Sequence, residues 1–126
     1  MPGTIVDDQI MRRTLHKVVE TQDQWSLWGT DGPMIAMTAA RLGEPQLAIK
    51  ALLMNIRKPG EQNLYLVNGN NYMGAHLPVY LPGNGGLLAA VAMMAAGWDG
   101  CPDRNAPGFP DDGQWVVQWE GLHRMP

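Results

Sequence analysis

The chain holds one cysteine, one phenylalanine, few charges and no basic tract, and each scarcity excludes something. A lone thiol, Cys101, cannot close an internal disulfide, so the fold has to stand on packing. Charged residues make up 17% of the sequence, with 9 Lys and Arg against 12 Asp and Glu. The resulting net charge of -3, without a Lys/Arg stripe, excludes nucleic acid as a main partner. The longest apolar run, Leu87 to Ala96, is about half of what a membrane span requires, so no membrane partner is expected. The opening stretch MPGTIVDDQIMRRTLHK has no apolar core of the kind a secretory leader carries.

Several kinds of chemistry are also missing their parts. His76 has no second His or Cys at ligand spacing, which argues against a metal site, and nothing calls for another cofactor. Gly83 to Gly86 is not a phosphate loop, because no Lys-Ser/Thr follows it. Ser26 and Cys101 lack a recognisable base, which leaves nucleophilic catalysis unsupported.

What is present is a 126-residue chain, 45% hydrophobic, with room for one domain and a modest core. Its five tryptophans, Trp25, Trp28, Trp98, Trp115 and Trp119, either fill that core or stack on the C–H faces of sugars. With Asn and Gln frequent and charges few, the composition leans toward carbohydrate.

Helical periodicity is clear in the first half. From Asp7 to Thr21, Met11, Leu15, Val18 and Val19 recur at helical spacing, and Asp7 and Asp8 stand where a carboxylate caps free N–H groups. Gln22 to Gly32 reads as an aromatic, polar loop. Pro33 suits the first turn of a second helix, Met34 to Leu42, which Gly43 closes in the left-handed conformation. Glu44-Pro45 restarts helix at once and Gln46 to Ile56 continues it, so helices two and three form an αα-hairpin. The third helix is apolar on most of its circumference and is expected to be buried on more than one side.

Arg57 to Gly86 is long for a connection and holds Asn63, Asn68, Asn70, Asn71, Tyr65, Tyr72, His76 and Tyr80. Short strands are expected at Leu64 to Val67 and at Leu77 to Leu81. Gly85-Gly86 then leads into a fourth helix, Leu87 to Ala96, which ends at Gly97. That helix is apolar all round, as befits the middle of a packed assembly. Past Trp98 the chain turns irregular, and Trp115 to Trp119 has the β-branched and aromatic content of a strand. The domain reading is one partial domain, residues 1–126, helical over 7–97 with an irregular and β tail over 98–126.

Helices three and four pose a problem of size. In a small monomer each helix lies near the surface and shows a polar stripe, yet the fourth has none. Covering apolar area gains roughly 25 cal/mol per Å², so wet faces of this extent point to a partner. Either the chain forms a homo-oligomer or further hairpins of a larger protein cover these faces.

The runs WGTDGPMIAMTAARLGEPQLAIKALLMN, LYLVNGNNY, LPVYLPGNGGLLAAVAMMAAGWDG and GQWVVQWEGL together resemble the last part of bacterial six-hairpin glycosidase-like proteins. The nearest group is that of family 95 α-L-fucosidases and their uncharacterised relatives. The resemblance extends over roughly Val6 to Pro126. It implies a mainly α fold, the last helical hairpins of an (α/α)6 toroid with a short C-terminal β segment, whose upstream hairpins lie outside this sequence. It also implies a carbohydrate partner.

Glycoside hydrolysis needs a carboxylic acid and a carboxylate, or a base-activated water, set several ångströms apart across the bond. In the fucosidases an aspartate immediately before Gly-Asn, at the mouth of the last inner helix, acts on the base side. Pro82 occupies that position here, and the family's general acid lies upstream, so the isolated chain is not expected to be catalytic. Asp31, in Trp28-Gly29-Thr30-Asp31-Gly32-Pro33, is the remaining catalytic candidate; it reads equally as the N-terminal cap of helix two. Trp25, Trp28, Asn70 and Asn84 are the candidate sugar contacts. Asn70 sits beside the turn signal Asn68-Gly69, and Asn84 serves as well for a plain helix cap. A second reading, from the apolar faces alone, is a non-catalytic helical module that self-associates.

Overall fold

The computed structural model describes residues 6–21, 29–54 and 81–126 and is mainly helical. Four helices follow in chain order: α1 (Asp8–Thr21), α2 (Asp31–Arg41), α3 (Pro45–Leu53) and α4 (Leu81–Ala96). Asp7 starts α1 as its sequence suggests. The carboxylate Oδ1 accepts from the backbone N–H of Gln9 at 2.9 Å and of Ile10 at 3.0 Å, two donors that the helix itself cannot satisfy. The buried side of α1 is narrow, with Leu15 in the core and Met11 and Val19 packed against it. At its outer end Arg12 donates to the Glu44 carboxylate and to the Leu42 carbonyl, and His16 reaches the same carboxylate at 2.9 Å.

The turn between α2 and α3 follows from two residues. Gly43 has φ +74, and with it in the left-handed region Glu44 N–H reaches Ala39 O at 2.9 Å while Gly43 N–H reaches Ala40 O at 3.0 Å. This pair of bonds satisfies carbonyls at the end of α2 that have no partner within the helix. Pro45 then opens α3, where its missing N–H costs nothing. The two helices fold back on each other and bury Ile35, Ala36, Ala39 and Ala40 against Ala48, Ala51 and Leu52. Small residues on the facing sides allow that close approach.

Helix α4 lies beside α2. A Cβ on Gly86 would stand 3.2 and 3.3 Å from the Cβ and Cγ of Pro33, so the second turn of α4 touches the first turn of α2. At the other end Ala40, Arg41 and Leu42 share a cavity wall with Trp98, just past the end of α4. The two helices therefore run parallel. Ala90, Met93, Met94 and Ala95 bury the inward side of α4 in the same core as α2 and α3.

The rest of the chain folds back over the end of α4. Gly97, at φ +92, stops the helix. Residues 98–110 then return to it: Gly108 N–H donates to Met94 O at 2.9 Å, and Ala106 and Phe109 enter the core. Trp98 forms an isolated parallel bridge with Met125, with Asp99 N–H to Met125 O at 2.8 Å and Met125 N–H to Gly97 O at 3.0 Å.

Four expectations need correction. Helix α4 begins at Leu81 instead of following Gly85-Gly86; both glycines lie within the helix, and Gly86 leaves room for the close approach of Pro33. The cap of α2 is Thr30, which makes no side-chain capping bond, and Asp31 is the first helical residue. There is no strand among the described residues, and Trp115–Trp119 has no ladder partner; Trp115 instead sets its ring 5.4 Å from that of Phe109. Neither α3 nor α4 is covered all round: Leu53 is 54% exposed and Leu88 71% exposed. The expected strands at 64–67 and 77–81 fall wholly or largely outside the described residues.

Candidate functional site

Two of the sequence-predicted site residues, Asp31 and Asn84, belong to the described residues; Trp25, Trp28 and Asn70 lie outside them. The contact between Pro33 and Gly86 sets the N-terminal parts of α2 and α4 side by side. Asp31 precedes Pro33 by two residues in the first turn of α2, and Asn84 precedes Gly86 by two in the first turn of α4. Because the helices are parallel, both residues occupy the same end of the helix pair. At that end the two positive helix poles add, which favours carboxylates and hydroxyl oxygens over cations.

The two side chains differ in setting. Asp31 is half-buried and belongs to the acidic first turn of α2. Asn84 is 9% exposed, the one buried polar residue of the described core, and its Nδ2 finds no hydrogen-bond acceptor. An amide N–H₂ taken from water without an acceptor costs about 1–3 kcal/mol. Buried amide donors in native proteins are nearly always satisfied, so Asn84 is an exception to the usual pattern. Gly83 beside it is buried too, while Pro82 and Gly85 are exposed at the rim. Pro82 offers no group for proton transfer, so Asp31 is the ionisable member of the predicted set at this end.

A second feature was legible only as an expectation of partly covered helices. Ile49, Leu52 and Leu53 of α3, Leu87 and Val91 of α4, and Phe109 and Trp115 from the returning tail line an apolar groove of about 320 Å³. Neither Phe109 nor Trp115 was marked for this wall, since only the fold-back of 98–110 brings them to α3. Among the described residues no group of three or more His, Cys, Asp or Glu is placed to hold a metal ion. Among them, too, no helix is long and apolar enough to cross a membrane. Cys101 packs beside Gly97, where a Cβ would stand 2.7 Å from its Sγ.

No protein-family model, no curated protein and no solved structure matches the chain.

Proposed function

We propose that this chain supplies the closing hairpins of a six-hairpin, glycosidase-like (α/α)6 toroid, and that the shared N-terminal end of α2 and α4 contacts carbohydrate. The observation that carries the reading is the buried, acceptor-less Nδ2 of Asn84 near the N-terminal end of α4, the end that α4 shares with α2. A sugar hydroxyl oxygen is an acceptor of the size and polarity that this amide lacks. The arrangement of helices supports the same reading. Inner helices of such a ring run parallel and touch, as α2 and α4 do, and each outer helix returns antiparallel, as α3 does. The exposed apolar sides of α3 and α4 are then the surfaces that the remaining hairpins cover.

On this reading the chain binds sugar and does not hydrolyse it alone. A glycosidase needs two carboxyl groups, or one and an activated water, across the scissile bond. Asp31 is the base-side candidate only once a general acid arrives from the upstream hairpins. A glycan array probed with the labelled chain tests the binding claim. Saturable capture of one sugar class, lost in Asn84→Leu and weakened in Asp31→Asn, is expected. Capture of no glycan, or capture that both variants retain, would overturn it.

The apolar groove favours a second reading, a helical module that self-associates through α3 and α4. Sedimentation equilibrium separates the two. A defined dimer that Leu88→Asp dissociates supports the module, and a monomer at all concentrations contradicts it.

A further inference from the structure

Phe109 and Trp115 line two cavities, the apolar groove against α3 and α4 and a polar one of about 230 Å³. The polar cavity lies between the loop at 104–111 and the segment that carries Trp115 and Val117. Its wall holds one guanidinium, Arg104, and one carboxylate, Asp111, so its charges cancel. The two do not pair with each other: the ion pairs among the described residues are Arg12–Glu44, His16–Glu44 and Arg124–Asp103. Of the acids next to this wall in sequence, Asp103 therefore faces Arg124, and Asp112 Oδ1 accepts from Gln114 N–H at 3.0 Å.

The wall is tied in place from several sides. Arg104 Nη2 donates to the carbonyls of Pro107 at 3.1 Å and Phe109 at 2.7 Å. Asn105 Nδ2 reaches the Val117 carbonyl at 2.9 Å and holds the tail segment against the loop. Gly108 N–H fastens the loop to Met94 O of α4. Ala106, also in the wall, has φ 49 and is the one non-glycine among the described residues in the left-handed region. Alanine seldom occupies that region, and strained backbone of this kind concentrates at ligand clamps. Against this fixed frame, two groups are left to solvent. Among the described residues neither Nε nor Nη1 of Arg104 has an acceptor, and the Asp111 carboxylate has no donor.

We propose that this cavity binds a small zwitterionic amino acid with an apolar side chain. Its carboxylate accepts from Arg104, its ammonium donates to Asp111, and its side chain lies against Trp115, Phe109 and Val117. A simple anion would meet Asp111 and a simple cation would meet Arg104, so only a ligand with both charges is matched at both ends. The volume is smaller than drug-sized sites of roughly 300–1,000 Å³, which sets the ligand at the size of one amino acid. Both charged side chains are exposed, so solvent screens each pair and the dissociation constant is on the order of 1 mM. The site lies beyond the C-terminal end of α4, away from Asn84, and does not depend on the carbohydrate reading.

L-Valine is the probe, followed through the Trp115 indole N–H and the Asn105 side-chain N–H₂ in ¹H–¹⁵N spectra of the chain. N-Acetyl-L-valine, which lacks the ammonium, and L-valinamide, which lacks the carboxylate, are the controls. Valine should shift both signals saturably, and each control should bind about fivefold more weakly. Asp111→Asn should weaken valine to the same degree and leave N-acetylvaline unchanged, since the ammonium is the group it serves. The variant keeps the fold, because the Asp111 carboxylate holds no protein group, and an unchanged thermal midpoint checks this. Absence of a saturable valine shift would overturn the proposal. So would either control binding as tightly as valine, or full valine affinity in Asp111→Asn.

Discussion

Gly108→Ala is the sharpest probe of how the tail is attached to the helices. A Cβ at position 108 would stand 2.5 Å from Met94 Cα and 2.6 Å from Met94 Cβ. Those atoms are the Cα and Cβ of a residue in the last turn of α4 and cannot swing aside as a side-chain tip would. The Gly108 backbone is not in the left-handed region, so the conflict is steric and not conformational. Relief requires the loop to lift from α4, which breaks the 2.9 Å bond from Gly108 N–H to Met94 O and loosens Ala106 and Phe109. The lost hydrogen bond costs about 1 kcal/mol and the overpacking about 1–3, roughly 2–4 kcal/mol together. Against a total stability of about 5–15 kcal/mol, that is a large fraction. Urea unfolding followed by tryptophan fluorescence reads it, because Trp115 packs on Phe109 and loses that contact when the loop lifts. With a slope of about 2 kcal/mol per molar urea, the midpoint should fall by roughly 1–2 M. Gly85→Ala is the matched control. It lies in α4 with nothing within 4 Å of its added Cβ, and should stabilise the helix by up to about 1 kcal/mol. A Gly108→Ala midpoint equal to that of the parent would refute the close docking of residues 98–110 on α4.

The remaining predictions concern single turns. Asp7→Ala removes the acceptor for two N–H groups of α1 and should lower stability by about 1 kcal/mol, read in the same urea titration. Gly43→Ala meets no atom within 4 Å but must adopt φ +74, and strain alone should cost about 1–2 kcal/mol. Asn84→Leu removes a buried donor that has no acceptor, so the thermal midpoint should hold or rise while sugar capture is lost. A large drop in that midpoint would mean that the amide is structural.

Local punctuation made the first half of the fold readable. Asp7, Gly43 and Pro45 each act through a bond or a torsion that involves only neighbours in sequence, and each does in the structure what its residue type suggests. The start of α4 was misread because Pro82 and the glycines at 83, 85 and 86 are poor helix formers by propensity. Gly86 lies close to Pro33, far away in sequence, and a neighbour of that kind is not visible in local propensity. The same reasoning explains Trp115–Trp119. Its residue types favour a strand, but a strand needs a neighbour, and among the described residues the Val117 carbonyl instead accepts from Asn105 Nδ2 at 2.9 Å. Of the candidate site, the residue types are visible in the sequence while the placement of Asp31 and Asn84 at one end of the helix pair is not. That placement depends on α2 and α4 being parallel.

The account rests most heavily on the amide of Asn84, and its side-chain N–H₂ signals in a ¹H–¹⁵N spectrum report on it directly. Assigned through Asn84→Leu, they would be followed while the chain is titrated with neutral mono- and oligosaccharides, L-fucose included. Saturable shifts of these signals together with the backbone amides of residues 29–33 are the predicted result. Signals that stay fixed while amides elsewhere on the chain respond to sugar would contradict the assignment of carbohydrate to the shared end of α2 and α4.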